Sequence, residues 1–349
     1  MRAVHGLRQH SRKAALLLCG TAAFFAASGA AFAADIPPIV PPPPPPIIIE
    51  PEDVPRFYLS LQALYMTRTN PPETPILTPE LITAGALQET DVNDGLNANQ
   101  IDYGWAFGLA GRAGLIGEPV GFDFGGFWLK PMEAIVNVFT EESLGNYILW
   151  TDPTLFYITN PEEQAAEAYA ATRIYGFDAN VTFSPNEDFT LFAGAAFVRV
   201  QDELLLDIFP TAGDVVEADW TTNNRLIGPQ VGVRGQFGQN ALSFGFEFRA
   251  AYLFNHAAGT ADIDDGVIDI TVDDDEKSRT LMLAGGVNVG FNINENVTLT
   301  AGYQAMWFKA LAMAPAQVPA TDPLTPALDL DTTSPLLVHG FALGLTARF

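Results

Sequence analysis

Leu242-Ser243-Phe244-Gly245-Phe246-Glu247-Phe248-Arg249-Ala250-Ala251-Tyr252-Leu253-Phe254 alternates large apolar side chains with small or charged ones along its whole length. A period of two marks a strand with unlike faces, because successive side chains point to opposite sides. One face holds Leu242, Phe244, Phe246, Phe248, Ala250, Tyr252 and Phe254, the other Ser243, Gly245, Glu247, Arg249 and Ala251. A soluble sandwich would turn the apolar face inward and keep a lysine-rich exterior. Here the small and polar set suits a confined, tightly curved wall, so the oily face is expected to point outward. A tilted strand of this length crosses a bilayer.

Ten runs share this rhythm: residues 57–66, 101–115, 120–130, 172–183, 189–200, 225–237, 242–254, 279–293, 297–309 and 336–349. In the run 101–115, Ile101, Tyr103, Trp105, Phe107, Leu109, Ala113 and Leu115 form the oily face. The connections alternate long and short, at 34, 4, 41, 5, 24, 4, 24, 3 and 26 residues. An antiparallel up-and-down transmembrane β-barrel produces this order, with tight periplasmic turns and long extracellular loops. The short links contain Gly117-Glu118-Pro119, Ser184-Pro185-Asn186-Glu187-Asp188, Gly238-Gln239-Asn240 and Asn294-Glu295-Asn296, all good turn formers. Tyr65, Trp105, Trp128, Tyr252, Tyr303 and Trp307 fall near run ends on the oily face, as aromatic girdles do. Pro229 interrupts the sixth run and predicts a bulge. Apolar residues 134–139 and 147–150 in the longest loop leave room for an extra hairpin and twelve strands. In the same loop Asn160-Pro161-Glu162-Glu163, ahead of residues 164–170, predicts a short surface helix.

Outside the barrel at 56–349, the chain begins with an address. Arg2, Arg8, Arg12 and Lys13 precede an apolar run and the small-residue site Ala31-Phe32-Ala33, so residues 1–33 read as a cleaved secretory signal peptide. Its removal takes away four basic residues and no acidic one, shifting the formal charge from −24 to −28. Residues 34–55, with prolines 41–46, form an extended periplasmic linker. No later stretch is apolar enough for a helical span. Cys19 is the only cysteine and Leu18 before it excludes a lipoprotein site, so neither disulfides nor cysteine metal sites are expected within the chain. The 17 basic against 41 acidic residues exclude nucleic acid as a partner.

The confined face offers Asp102, Arg112, Asp123, Asp178, Arg234, Glu247 and Arg249, with Gln62, Gln230, Asn288 and Gln304. As lumen-lining charges of both signs they would set a transverse field that selects small hydrophilic solutes. The opposing reading is that they pair with one another and fill the lumen, as side chains do in barrels of about eight strands. Residues 262–276 carry eight acids but lack calcium-hand spacing, and are expected to be a solvated loop. His256 and His339 are expected to be ordinary loop and interfacial residues. No enzymatic activity, cofactor or metal is expected.

The last run ends Leu343-Gly344-Leu345-Thr346-Ala347-Arg348-Phe349, with alternation, Gly344 and a terminal Phe349. It resembles the signal by which outer-membrane barrels are presented to the barrel-assembly machinery. Asn223-Asn224-Arg225-Leu226-Ile227-Gly228-Pro229-Gln230-Val231-Gly232 and Asn296-Val297-Thr298-Leu299-Thr300-Ala301-Gly302-Tyr303-Gln304-Ala305-Met306-Trp307 are similar to a family of Gram-negative pore-forming, porin-like outer-membrane barrels. The resemblance is best over residues 170–349. It implies an outer-membrane location, contact with membrane lipid and lipopolysaccharide, and a narrow channel for passive diffusion of small hydrophilic solutes, and it brings no catalytic residues. The alternative is a non-conducting structural or adhesive surface barrel displaying acidic loops.

Overall fold

The computed structural model describes residues 56–349 apart from 84–85, 90–95, 118, 140–144, 150–155, 158–164, 187, 210–214, 239–240, 265, 267–268 and 323–325. The expected signal peptide and linker lie outside the described residues, as does the Asn160-Pro161-Glu162-Glu163 start of the expected helix. Among the described residues ten strands build the wall. They are β1 (Arg56–Arg68), β2 (Ala106–Ile116), β3 (Val120–Leu129), β4 (Ala165–Phe183), β5 (Phe189–Phe209), β6 (Val216–Phe237), β7 (Leu242–Asp264), β8 (Asp269–Asn292), β9 (Val297–Leu311) and β10 (Ser334–Arg348). Each pairs antiparallel with its neighbour in sequence. β10 pairs with β1 from Tyr58↔Arg348 to Arg68↔Val338, which closes the ring. The fold is an antiparallel up-and-down barrel.

Closure satisfies every backbone donor along the seam, the condition for a sheet to sit in lipid. The outward residues meet the same condition. Phe244, Phe248, Tyr252 and Phe254 of β7 are exposed, as are Phe107 and Leu109 of β2, Phe122 and Phe124 of β3 and Phe341 and Leu343 of β10. A continuous band of exposed large apolar side chains around a closed barrel faces acyl chains, since water would not tolerate it.

Several expectations need correction. Strands β4 to β8 run 19 to 24 residues, well past the ends expected for them. They rise beyond the oily band into a turret, and there the faces exchange character. On β7 the outward residues become His256, Thr260, Asp262 and Asp264, while Ala257, Ala261 and Ile263 are buried inside. Seven of the eight acids of residues 262–276 therefore do not sit in a loop but belong to the tops of β7 and β8, and Asp265 lies outside the described residues. Residues 165–170, expected as helix, are strand: Ala166, Ala168 and Ala170 alternate inward in the pairing with β5.

Pro229 creates no bulge. The register with β5 runs unbroken through Ala195↔Pro229, and the bridges to β7 stop at Ile227 and resume at Gln230 without a slip. The bulge lies instead at Lys130-Pro131. Tyr175 faces Trp128 and Thr172 faces Met132, so three steps on β4 match four on the other strand. The strand Met132–Phe139 thus continues β3 upward beside β4, and Gly145–Leu149 joins a separate small sheet with Pro75–Thr83. The wall keeps ten strands and gains no hairpin.

Candidate functional site

The sheet brings six of the seven expected lumen charges together. Arg112 (β2) donates to Asp123 (β3) at 2.7 Å and to Asp178 (β4) at 2.8 Å. Arg234 (β6) donates to the other Asp123 oxygen at 2.6 Å and to Glu247 (β7) at 2.6 Å. Arg249 (β7) donates to Glu247 at 2.6 Å and to Asp178 at 3.2 Å. The six groups close a ring of alternating sign with no net charge. Asn180 donates to both Asp123 and Asp178, Gln230 donates to Asn180, and the Tyr58 hydroxyl donates to Asp123. Strand geometry makes the ring possible, because these positions all fall on the inward parity of their strands. Glycine makes room for it: a Cβ at Gly125 would meet the Arg112 guanidinium at 2.8 Å, and one at Gly232 would run into the Phe192 ring. That ring lies under the Arg234 guanidinium, 4.6 Å from centroid to Cζ.

Asp102 is not part of this group. It lies ahead of β2 and is exposed, because the alternation slips at Gly104: Ile101 and Tyr103 point inward while Trp105 and Phe107 point outward. Ile101 and Tyr103 therefore leave the oily face expected for them. On the facing wall Asn288 points inward yet is exposed, and Gln62 and Gln304 are half-buried, so solvent enters this part of the lumen.

Above the ring the lumen changes to hydrocarbon. Met66 (β1), Ala106 (β2), Leu129 (β3), Ile174 (β4) and Val198 (β5) are each buried to 5% exposure or less. Leu226 (β6), Leu253 (β7), Met282 (β8), Phe308 (β9) and Val338 (β10) complete the circuit at 2% or less. All ten belong to one apolar cluster that continues upward into Leu204, Leu206 and Trp220 of the turret. The segment after β9 folds down onto them: Ala312, Met313, Ala314, Val318, Leu328 and Leu330 are buried in the same cluster, with a one-turn helix at Ala314–Gln317. Trp220 donates its Nε1 to Thr321 of this segment at 3.1 Å, and the Asn224 amide donates to the Ala312 carbonyl at 2.7 Å.

One ion pair sits inside that core and is invisible to sequence reasoning. Arg68 donates to Asp202 at 2.8 Å, and both side chains have at most 1% exposure. Thr172 shares the Asp202 oxygen, the Ala314 amide donates to the second oxygen at 3.0 Å, and the Tyr103 ring lies 4.2 Å from the Arg68 guanidinium. Arg68 ends a short strand and reads as interfacial, and its partner is 134 residues away, so no local signal marks them. In the turret, burial raises the Asp219 carboxyl above its ordinary range, and Glu203 and Asp262 add like charge. His339, on the outer face, is hydrogen-bonded through Nδ1 to the Tyr303 hydroxyl at 2.6 Å, and His256 is exposed on β7.

No family model matches the chain, and no curated protein matches it. Among solved structures it is similar to the outer-membrane protease OmpT of Escherichia coli at 11% identity and a TM-score of 0.49, covering 84% of this chain and 97% of that one. It is also similar to the translocator domain of the autotransporter NalP of Neisseria meningitidis, at 9% identity and a TM-score of 0.37, covering 86% and 90%. A FadL homologue of Pseudomonas aeruginosa follows at 11% and 0.27, covering 84% and 90%. The expectation of no enzymatic activity is corrected to this extent, that one of the solved barrels to which the chain is similar is a protease. A closed ten-stranded wall, an oily band around it and charges held inside establish the chain as a bacterial outer-membrane β-barrel.

Proposed function

We propose that the protein is a sealed surface barrel, in which the membrane half anchors a rigid acidic turret outside the cell. The observation that carries this reading is the layer of ten inward apolar side chains, one from each strand. Water and ions cross hydrocarbon only at a high free-energy cost, so such a layer stops conduction where the charge ring alone would not. What the turret offers is negative. Asp207, Glu217, Asp264 and Asp269 stand directly opposite one another across β5, β6, β7 and β8. Like charges so placed destabilise the sheet, and the turret core offsets that cost. A structural or adhesive role suits this face.

Planar-bilayer recording tests the seal. The refolded protein is expected to give no discrete conductance steps, while replacing Leu226, Leu253 and Phe308 together by Gly opens the layer and produces them. Steps from the unaltered protein, changed in size by Arg112→Ala or Arg249→Ala, would establish instead the passive channel for small hydrophilic solutes. The exposure of the inward-facing Asn288 is the observation that favours that second reading.

On the same reading residues 1–33 direct export and are removed, 34–55 link on the periplasmic side, and Gly344 with Phe349 forms the signal for the assembly machinery. Phe349 is exposed at the rim, with its amide donating to the Phe57 carbonyl at 2.8 Å. Its deletion is expected to lower the heat-modifiable, assembled fraction in cells while leaving refolding into detergent intact.

A further inference from the structure

Basic residues are scarce here, and their placement is not scattered. Of the 17 in the chain, four precede residue 34. Arg68, Arg112, Arg234 and Arg249 are spent on internal ion pairs. Arg56 and Arg348 belong to the strand ends at the short-turn rim. All the others face outward just above the oily band. Arg199, Arg225, His256 and Lys277 form one row, Arg199↔Arg225, Arg225↔His256 and His256↔Lys277 being direct cross-strand partners. Lys130, just past the end of β3, and Arg173, Arg279 and Lys309 on β4, β8 and β9 continue the girdle, and all four are exposed.

Direct cross-strand partners have Cβ atoms about 4.5–5.5 Å apart, a separation at which like charges repel. Among the described residues none of these cations is within ion-pair distance of a carboxylate, although the turret above them is rich in acids. Arg199 is also held in position, donating Nε to Asn223 at 2.8 Å and Nη1 to the Tyr175 hydroxyl at 3.2 Å. Most of the eight have an apolar companion two residues toward the membrane on the same face, Trp128 below Lys130, Phe197 below Arg199, Ile227 below Arg225, Phe254 below His256 and Trp307 below Lys309, while Lys277 stands above Arg279, which in turn stands above Leu281. The pattern presents hydrocarbon to acyl chains and, one step higher, guanidinium and ammonium donors to anions.

We infer that this girdle is a binding site for the phosphate groups of an acylated, phosphorylated glycolipid in the outer leaflet, with the Arg199–Arg225–His256–Lys277 row as its centre. Guanidinium groups take phosphate oxygens in pairs and lysine supplies a point charge, so the repulsion between Arg199 and Arg225 becomes shared attraction once phosphate sits across the row. A soluble anion would satisfy the charges but would leave the apolar companions unused, and this commits the site to a lipid.

Native mass spectrometry of the detergent-solubilised full chain, titrated with bis-phosphorylated lipid A or with the same lipid dephosphorylated, tests it. The triple variant Arg199→Gln, Arg225→Gln, Lys277→Gln is expected to bind the phosphorylated lipid about a hundredfold more weakly, and Lys277→Gln alone about fivefold more weakly. Arg225→Lys and Lys277→Arg together should retain binding. Heat-modifiable gel migration reports that each variant is folded. Equal binding of the two lipids by the unaltered protein, or wild-type binding by the folded triple variant, overturns the assignment. So does full displacement of lipid A by millimolar inorganic phosphate, which would make the row a site for free anions.

Discussion

The lower and upper halves of the same strands obey one geometry and opposite chemistry. On β5, Leu191 points outward into the oily band at 49% exposure, while Leu206, fifteen residues further along and on the other parity, is buried inside the turret. β7 makes the same exchange between Phe254 and Ala257. Alternation belongs to the backbone and continues unchanged; which parity carries hydrocarbon reports the medium on each side. Below, the outside is lipid and the inside is polar and reached by solvent on one wall, so charges line the lumen in a neutral ring. Above, the outside is water and the inside has to be a core. The barrel is a membrane protein and a soluble β-protein stacked along one set of hydrogen bonds.

The largest difference between the halves should appear when their internal ion pairs are broken. Asp202→Ala leaves Arg68 unpaired in a dry core, and the expected loss is about 3–5 kcal/mol. Asp178→Ala leaves Arg112 and Arg249, which are partly exposed at 16% and 23% and keep Asp123 and Glu247 as carboxylate partners, so a loss nearer about 1–2 kcal/mol is expected. Urea unfolding in phospholipid vesicles, followed by tryptophan fluorescence, measures both. Equal losses would mean that the lower ring is as dry as the upper pair, and the contrast between the halves would fail.

The leucine pair on β5 sharpens the contrast further. Leu206→Ala loses transfer free energy and leaves a cavity, for about 3 kcal/mol in total. Leu191→Ala loses only the first, because acyl chains refill the gap, and about 1–2 kcal/mol is expected. Hydrogen exchange should localise the first effect to the turret ends of β5 to β8 and leave the band region of β7 protected. Uniform acceleration along both halves would show that they unfold as one unit.

The band was legible because each run keeps its apolar residues on one face, and Leu242 to Phe254 alone fixes both the strand and its orientation. The turret was not legible on that template. Its strands keep the period but reverse the faces, so Asp262, Asp264 and Asp269 read as a loop although they are outward residues of a hairpin whose inward partners are Ile263 and Ile270. Residues 165–170 misled through alanine, which favours a helix in isolation and here is simply small enough for the inner wall. Pro229 and Pro131 are alike in sequence; only the second meets a register slip. In the candidate site, parity placed Arg112, Asp123, Asp178, Arg234, Glu247 and Arg249 on the inner wall, and Asp102 failed because the parity slips at Gly104. The cation girdle was also within reach, since most of its members lie two residues beyond an outward aromatic or aliphatic side chain. It is recognised only once every basic residue is assigned a face.

The smallest expected effect concerns the acidic exterior, and its sign separates the halves by pH. Burial and the charges of Glu203 and Asp262 raise the Asp219 carboxyl above its unfolded value. A raised acid binds its proton more tightly in the folded state, so its favourable contribution is complete below the unfolded range and is lost as pH rises through the folded value. The turret should therefore be somewhat firmer in mild acid than at neutrality, in a window just above the ordinary carboxylate range. Asp219→Asn removes the dependence and, by relieving like charge opposite Asp262, is expected to stabilise the turret at neutral pH by about 0.5 kcal/mol. Limited proteolysis at pH 5 and pH 7.5 reads this out. A variant that is less resistant than the parent at pH 7.5 would mean that Asp219 is paired rather than repelled, and that the outer face of the turret is held together by its acids instead of merely tolerating them.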